Sequence, residues 1–539
     1  MRSISKRFIF FSRDRLAIAF CVASVAFGIL RAIRLAWVCD DAFISFRYSY
    51  NFARGRGLVF NAGEYVEGFT NLLWTLLLTP FLAINVDIVA VSQWLGILCY
   101  AVMLLEFFRI GKRLLGVAES TAQDSTDSWR CVPWSLPALA VHHHLHIFAT
   151  SGLETPLFTL LVTSGVLRIA LAGMTNRPAK FGFLLLAFAC LTRPDGILIY
   201  GVAAILHAFG PARNAFNAGQ NARRSWFIKQ ALAHVWFVIL VGGSFVFRVL
   251  YYGDILPNTF YAKSAHDPYF GQGFFYAALY FGAYWILIPA LLILVVAFVR
   301  GILADARPPT VIAAICFAWI AYVLWVGGDF MFGRFLVPIT PLLYLGGELA
   351  LRSVLARANV NTHTRAVWWF ATIAIFAATV LRYDPYRGRA LPVIGYVGEE
   401  HKIYTTIGMR LLRETALATK PAMQAADPVV AFVGAQAALI FYWDITTAIE
   451  AQTGLTDRVL AKRALTERGW IGHEKTAPLE YLRERGVDFI LRPPPSERRA
   501  SGENVMKIQG LIGEFEIINY RRDVMGVLRR DARFVIPDR

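Results

Sequence analysis

Charged residues are scarce in this 539-residue sequence: they make up 17% of the chain, whereas hydrophobic residues make up 57%. With a mean hydropathy of +0.49, most of the chain must lie in lipid or in a core that lipid surrounds, which excludes an ordinary soluble protein. Acidic residues are outnumbered by basic ones, 37 against 54. The basic residues lie between apolar segments and form no patch with interleaved aromatics, so they indicate membrane-flanking charge and no nucleic-acid binding.

Cysteine is also rare. The six cysteines lie in or beside apolar segments and none follows Cys316, so no disulfide framework is implied. The sequence has no Walker P-loop, no GxGxxG after a strand and no GxSxG motif, so nothing in it supports the use of a nucleotide sugar. The basic N-terminus lacks a small-residue cleavage site and is expected to be an uncleaved anchor with its end inside the cell.

Apolar runs long enough to cross about 30 Å of hydrocarbon predict about eleven transmembrane helices in residues 1–382. They are residues 16–37, 88–108, 133–149, 155–174, 180–191, 195–209, 230–251, 275–299, 310–327, 334–351 and 366–382. Residues 70–108 could hold one span after an interfacial helix, or two spans. The basic loop that follows favours one, because positive charge concentrates on the cytoplasmic side.

An odd number of spans places residues 383–539 outside the cytoplasm, on the same face as a first external loop at residues 38–87. The composition of this tail changes to mixed polar and apolar, with strand-like runs at 429–434 and 488–491 and a helix-like stretch at 478–485. The fold class expected is therefore a polytopic α-helical membrane domain followed by an extracytoplasmic α/β domain.

The first external loop contains DDAFISFRYSYNFARGRGLVFNAGEYVEGFTNLLW, which begins with the adjacent carboxylates Asp40 and Asp41. Two ionised carboxylates beside a bilayer are costly, so their presence suggests a functional role. They could also cap the helix predicted after them by accepting backbone N–H bonds. On geometry Asp40 is the better cap and Asp41 the better base.

Three blocks of this loop, DDAFISFRY, GLVFN and VEGFTNLLW, resemble the first external loop of the arabinofuranosyltransferase B family. These are polytopic glycosyltransferases of the GT-C superfamily that use a polyprenyl-phosphate sugar donor. The resemblance implies a multi-pass protein of the bacterial plasma membrane, with a glycan or glycolipid acceptor and with Asp40 or Asp41 as catalytic base. It also implies that Glu154, in the SGLET loop, faces the same cavity. A capping acid at the start of a helix is the alternative for Glu154.

A lipid phosphate needs cations near the membrane boundary, and four are candidates: Lys263, Arg334, Arg193 and Arg47. Snorkelling of Lys263 and structural ion pairs, Arg334 with Asp329 and Arg193 with Asp195, are the competing explanations. Further substrate-binding candidates are polar residues of the outer loops and the tail: Glu67, Asn71, Asn258, Tyr261, Asp329, Asp457 and His473. For the last two, a solvated surface turn is the alternative.

The run HHHLH places His142 and His146 at positions i and i+4, which could bind zinc, but no third ligand is evident in sequence. A polar stripe facing a cavity is the favoured interpretation. No cofactor is required by the chemistry expected, and a divalent metal is compatible with it but unsupported by any motif.

The function predicted is transfer of a sugar, arabinofuranose or another pentose, from a polyprenyl phosphate to a cell-envelope glycan or glycolipid. Two alternatives stay open. One is a transporter of lipid-linked sugars, although no inverted repeat is visible. The other is a non-catalytic membrane scaffold, since a flagellar motor control protein is known among chains that resemble this family. The sugar, the acceptor, the anomeric outcome and the oligomeric state are not encoded in any motif.

Overall fold

The structure is a computed structural model that describes residues 2–119, 128–175, 179–217, 220–264, 266–304, 308–357, 365–434, 436–492, 504–511 and 513–538. A helical part precedes a tail that contains a β-sheet. The helices of the first half are Arg2–Arg34 (α1), Ala42–Ala53 (α2), Leu72–Ala83 (α3), Ile88–Glu119 (α4), Leu136–Ala140 (α5), His143–Ala149 (α6), Thr155–Thr175 (α7), Lys180–Thr192 (α8), Gly196–Asn217 (α9) and Gln220–Phe237 (α10). A 3₁₀ turn, Ser128–Cys131, precedes α5.

Helix α10 continues through a π-helical turn, Val238–Gly242, into Gly243–Tyr252 (α11). The remaining helices before the tail are Asn258–Ala262 (α12), Phe270–Ala283 (α13), Leu287–Ala304 (α14), Pro308–Val326 (α15), Thr340–Arg357 (α16) and Arg365–Val380 (α17). A 3₁₀ turn, Val337–Ile339, leads into α16.

Several of these helices could cross a membrane. Within the described residues six are long and apolar enough, and a seventh crossing results if α13 and α14, bent by 113°, are one span. Four shorter apolar helices are Leu72–Ala83, Lys180–Thr192, Gly196–Ala208 and Ala366–Val380. The chain is therefore a multi-pass membrane protein, as predicted, with a separate helix α3 before the long helix α4.

The prediction of one continuous helix at residues 133–149 is wrong, because the segment is broken into α5 and α6. Its two ends contact different parts of the fold. At one end the N–H groups of Trp134 and Ser135 donate to Glu348, two turns inside α16. At the other end Ser151 O accepts from Cys39 N–H of the first external loop at 2.8 Å. The segment thus still returns the chain to the face of the first loop.

The tail contains the helices Glu400–Ile403 (α18), Thr406–Ala426 (α19), Ala437–Trp443 (α20), Arg458–Ala461 (α21), Leu479–Glu484 (α22) and Arg522–Leu528 (α23). Its strands are Val393–Ile394 (β1), Val397–Gly398 (β2), Val430–Phe432 (β3), Ala448–Glu450 (β4), Phe489–Arg492 (β5), Val505–Ile508 (β6), Glu514–Ile517 (β7) and Phe534–Val535 (β8).

The tail is the α/β domain that the sequence predicts. In the described residues β1 and β2 form a hairpin, and the other strands form a mixed sheet in the order β4-β3-β5-β7-β6-β8. Strand β3 pairs in parallel with β4 and β5, whereas β7 pairs antiparallel with β5 and β6. The predicted strands at 429–434 and 488–491 correspond to β3 and β5, and the predicted helix at 478–485 corresponds to α22.

The tail packs directly on the first external loop. Asn61 exchanges two hydrogen bonds with Ala448, at 2.9 and 3.0 Å, and so joins the loop to strand β4. A Cβ at Gly68 would lie 2.6 Å from Leu455 O, so only glycine allows the loop and the tail to approach this closely. The loop and the tail therefore lie on the same face of the helical part.

Candidate active site

A cavity of about 270 Å³ lies between the first loop, the helical part and the tail. The residues that line it carry charges of both signs among apolar and aromatic side chains. The charged and polar ones are Asp41, Ser45, Thr70, Asn71, Glu154, Arg193, Asp195, Thr259, Lys263, Tyr322 and Arg334. The sequence-predicted candidates Asp41, Glu154, Lys263, Arg334, Arg193 and Asn71 thus meet in one cavity although they lie far apart in the chain.

Asp41 begins helix α2 but does not cap it, because its side chain accepts no N–H bond there. Its carboxylate makes no hydrogen bond or ion pair with a described residue and lines the cavity. Its charge acts on Lys263, Arg334 and Glu400, which places these groups nearby. An acid that is left unpaired beside an open cavity is available to accept a proton.

Glu154 is buried in the wall of the cavity just before α7 and is fully engaged. Its Oε1 atom lies 3.3 Å from Arg334 Nη2 and 3.6 Å from Arg193 Nη1, and its Oε2 atom accepts from Asn71 at 3.1 Å. Burial would raise the pKa of Glu154, but Arg334 and Arg193 hold that pKa below its usual range. Glu154 therefore stays ionised and fixes the two guanidinium groups.

Each arginine keeps one nitrogen that forms no hydrogen bond with a described residue. Arg193 also pairs with Asp195 at 2.6 Å, and Arg334 lies 3.5 Å from Asp329. Even so, Arg193 Nη1 and Arg334 Nε are buried atoms without a hydrogen-bond partner. Buried donors are normally satisfied, and guanidinium groups bind phosphate oxygens well, so these two N–H groups are suited to an anionic ligand.

Lys263 follows helix α12, and its side chain lines the cavity without a hydrogen bond or ion pair to any described residue. Burial lowers the pKa of Lys263, and the negative charges of Asp329 and Asp41 partly oppose that effect. Its hydrocarbon stem packs on Gly472 of the tail. Lys263 is thus a cation held in place by the tail and available to a phosphate.

Asp40 points away from this cavity and is 3% exposed. It accepts the N–H groups of Ala437 and Ala438 at 2.8 and 2.9 Å, and so caps helix α20 of the tail. The expectation that Asp40 caps the helix following it in sequence is therefore wrong. Burial raises the pKa of Asp40 to about 7, although the two N–H donors act in the opposite direction. The residue anchors the tail.

Arg47 and Glu67 are placed differently from their predicted roles. Arg47 lies outside the cavity and donates to Phe60 O and Ile445 O, both at 2.8 Å. Its guanidinium joins the first loop to the tail, so the structure corrects its assignment to a phosphate clamp. Glu67 pairs with Arg248 of α11 and is not part of the cavity wall either.

Four more predicted substrate-binding residues act as structural contacts. Asn258 donates to the carbonyls of Gly454 and Leu455, and Tyr261 donates to Asp254. Asp457 caps α21, accepting from Val459 and Leu460, and it also pairs with Arg485. His473 packs edge-on against Phe330 at 4.8 Å. Asp329, the last predicted residue, does not line the cavity but lies 3.5 Å from Arg334, which does.

Several residues of the site were missed by the sequence reasoning. Tyr322, Thr259 and Phe335 line the cavity, but they lie in or beside apolar helices where nothing distinguishes them from packing residues. Glu400 is buried near the aspartates, and burial together with the charge of Asp41 raises its pKa to about 8. In the sequence, nothing in the GEE string at the start of the tail distinguishes Glu400 as a residue of the site.

Relatives of known name were found by sequence comparison, although no family model matches the chain. A terminal β-(1→2)-arabinofuranosyltransferase of Mycobacterium tuberculosis is 30% identical over an alignment that covers 57% of this chain and 51% of the relative. The enzyme of the same name from Corynebacterium glutamicum is 27% identical, over 56% of this chain and 46% of the relative. The chain thus spans about half the length of the curated relatives it matches.

A crystal structure of ArnT from Cupriavidus metallidurans, bound to undecaprenyl phosphate, has a similar fold. The two align with a TM-score of 0.51 over 93% of this chain and 97% of that chain, at 12% identity. The comparisons confirm the resemblance to the arabinofuranosyltransferase B family. They also confirm the GT-C architecture, in which a membrane-spanning helical part is followed by a tail that contains a sheet.

Proposed function

We propose that this arabinofuranosyltransferase B-like protein transfers a sugar from a polyprenyl phosphate to a hydroxyl group of a cell-envelope glycan or glycolipid. The observation that carries the proposal is that one cavity holds both an acid without a partner among the described residues and cations with unused hydrogen-bond donors. Asp41 supplies the acid, and Lys263 supplies donors together with the N–H groups of Arg193 Nη1 and Arg334 Nε, which form no hydrogen bond with a described residue. The names of the relatives favour arabinofuranose as the sugar.

The donor phosphate would lie on the cationic side of the cavity. Three lining cations, Arg193, Lys263 and Arg334, face three lining acids, Asp41, Glu154 and Asp195. Glu154 and Asp195 are already neutralised by the arginines, which leaves Lys263 as the cation with the greatest spare charge. A phosphate needs hydrogen-bond donors and positive charge, and both are present without a metal ion.

The transfer step balances with these groups alone. The acceptor hydroxyl gives its proton to Asp41 while its oxygen forms a bond to the anomeric carbon of the sugar. The bond from that carbon to the phosphate oxygen breaks, and the polyprenyl phosphate leaves with the electron pair. Lys263, Arg193 and Arg334 stabilise the charge that develops on the leaving phosphate. A positioned base of this kind typically contributes about 10² to 10⁴ in rate.

The test is a transfer assay with full-length protein in detergent and a panel of polyprenyl-phosphate sugars that includes polyprenyl-phosphate arabinofuranose. Wild type should release polyprenyl phosphate and label an arabinan acceptor, and Asp41→Asn should do neither. Asp87→Asn is the matched control, because Asp87 forms a surface ion pair with Arg413 outside the cavity. Movement of intact donor across vesicles without release of polyprenyl phosphate would indicate a transporter and would overturn the proposal.

We further propose that the protein lies in the bacterial plasma membrane with its tail outside the cytoplasm. The contacts between the tail and the first external loop support one common face for both. A reporter fused after Arg389 should be active only outside the cytoplasm. Cytoplasmic activity of that fusion would contradict the external placement of both the loop and the tail.

A further inference from the structure

A cluster of two histidines and one glutamate lies where helix α6 meets the start of the tail. His143, Glu399 and His401 each offer one ligand atom, and the three atoms lie within 4.8 Å of one another. His143 belongs to the broken membrane segment, whereas Glu399 and His401 flank the first residue of helix α18. The fold therefore brings together a ligand set that no local sequence motif contains.

Each of the three side chains has one buried polar atom that no hydrogen bond satisfies. His143 Nδ1, His401 Nδ1 and Glu399 Oε2 are buried and have no hydrogen-bond partner among the described residues, although His401 Nδ1 lies within ion-pair distance of Glu399 Oε1. The His143 side chain is more than nine-tenths buried, since its residue is 8% exposed. A buried polar atom without a partner costs about 1–3 kcal/mol, so a ligand shared by the cluster would remove part of that cost.

The spacing also suits a small tetrahedral ion. His401 Nδ1 lies 3.2 Å from Glu399 Oε1. Ligands bound to zinc at about 2.0–2.2 Å lie roughly 3.3 Å apart in a tetrahedron, so this pair already has the required separation. Glu399 is further oriented by His144 Nε2 at 3.0 Å, and His144 Nδ1 in turn lies 2.5 Å from the Tyr284 hydroxyl. Supporting contacts of this kind are usual around metal ligands.

We propose that His143, Glu399 and His401 bind one divalent transition-metal ion of the zinc class, with solvent as the fourth ligand. Two imidazoles and one carboxylate suit zinc, whereas calcium and magnesium prefer oxygen ligands throughout. None of the three residues lines the cavity of Asp41. The ion therefore fastens the beginning of the tail to the helical part and does not contact the reacting atoms.

The proposed site differs from the histidine pair that the sequence suggested. His142 stacks on the ring of Tyr284 with a centroid distance of 4.0 Å. His146 Nε2 lies 2.9 Å from Ala140 O. Neither belongs to the cluster, which makes His146 a matched control from the same run of histidines.

The test measures metal binding on full-length protein purified in detergent with a tag that contains no histidine. The protein is treated with a chelator, reloaded with zinc and analysed by elemental mass spectrometry. Wild type and His146→Gln should retain about one zinc per chain. His143→Gln and His401→Gln should bind at least about ten- to a hundredfold more weakly, which is the loss seen when even an outer partner of a metal ligand is removed.

Two further measurements separate metal loss from misfolding. Zinc should raise the Tm of wild type, as any ligand of the folded state does, and should leave the Tm of His143→Gln unchanged. His401→Cys replaces one zinc ligand by another, so this variant should bind zinc where His401→Gln does not. Cobalt should give visible d–d absorption with wild type and His401→Cys only. Failure of wild type to bind zinc after reloading, or wild-type zinc binding by both Gln variants, would overturn the proposal.

Discussion

Two groups of buried charges in this protein differ in how completely they are paired. In the cavity Asp41 and Lys263 have no partner among the described residues, and Arg193 and Arg334 each keep one nitrogen without a hydrogen bond there. Where the first loop meets the tail, Asp457 accepts from two backbone N–H groups and from the side chains of Tyr481 and Arg485. Desolvated charge is costly, so complete pairing indicates a structural role and incomplete pairing indicates a place for a ligand.

The two neighbouring aspartates show the same contrast within one dipeptide. Asp40 is satisfied by two N–H groups of the tail, and Asp41 is left for the cavity. Adjacent side chains at the start of a helix diverge by about 100°, which allows one residue to anchor the tail while the next reaches the substrate. The four predictions that follow test the difference between charges that are fully paired and charges that are not.

The largest effect is expected for Asp41→Asn. Amide replaces carboxylate and removes the proton acceptor, so turnover should fall at least about a hundredfold. The Tm should stay at the wild-type value because no hydrogen bond of Asp41 is lost. Turnover and thermal unfolding are measured on the same preparation, and Asp87→Asn is measured in the same way as the control. Full turnover by Asp41→Asn would remove the distinction between the two aspartates.

Lys263→Met should weaken use of the donor. A charge-assisted contact to phosphate is worth about 1.5–3 kcal/mol, so the KM for the donor should rise roughly ten- to a hundredfold while the KM for the acceptor changes little. Lys462→Met is the control, because Lys462 pairs with Asp254 outside the cavity wall. If yield alone falls and both KM values are normal, Lys263 has a structural role.

Asp457→Ala should lower the stability of the protein without changing its turnover. It leaves two N–H groups of α21 and the Tyr481 hydroxyl without their acceptor, at a cost of about 1–3 kcal/mol in the free energy of unfolding. The protein that remains folded should have the wild-type turnover. A raised KM for either substrate at unchanged Tm would restore Asp457 to the substrate-binding residues predicted from sequence.

The smallest effect concerns pH. Because burial raises the pKa of Asp40 to about 7 from a usual value near 3.8, the folded state binds more protons than the unfolded state between these values. Stability should therefore fall as pH rises through this window, by about 1.4 kcal/mol per pH unit at most. Asp40→Asn cannot titrate, so its stability should fall less steeply.

The pH effect is read as the difference in slope between wild type and Asp40→Asn in denaturant unfolding at pH 4 to 7. Glu400, with a pKa raised to about 8, contributes its own slope to both proteins, and the comparison removes this slope apart from the smaller part of the pKa shift that comes from the charge of Asp40. Equal slopes in the two proteins would mean that Asp40 is ionised throughout and that its two N–H donors outweigh its burial.

Much of the architecture could be predicted from sequence because lipid imposes long apolar helices that periodicity and length reveal. The tail was also recognisable, since β3, β5 and α22 follow local patterns. The break between α5 and α6 was not, because His142 to His146 lie in an otherwise apolar run and their partners Tyr284 and Glu399 are distant in sequence. Length alone could not show that a run of that size is interrupted.

For the site, sequence determined which residue types were out of place in an apolar chain: the paired aspartates, Glu154, Lys263, Arg193 and Arg334. It could not separate those that line the cavity from those that hold the tail, such as Arg47, Asn258 and Asp457. That separation depends on whether a charged or polar group finds a partner, and the partners of these residues lie elsewhere in the chain. Only the tertiary structure, by docking the tail on the first loop, decided which charges were neutralised and which were left for a ligand.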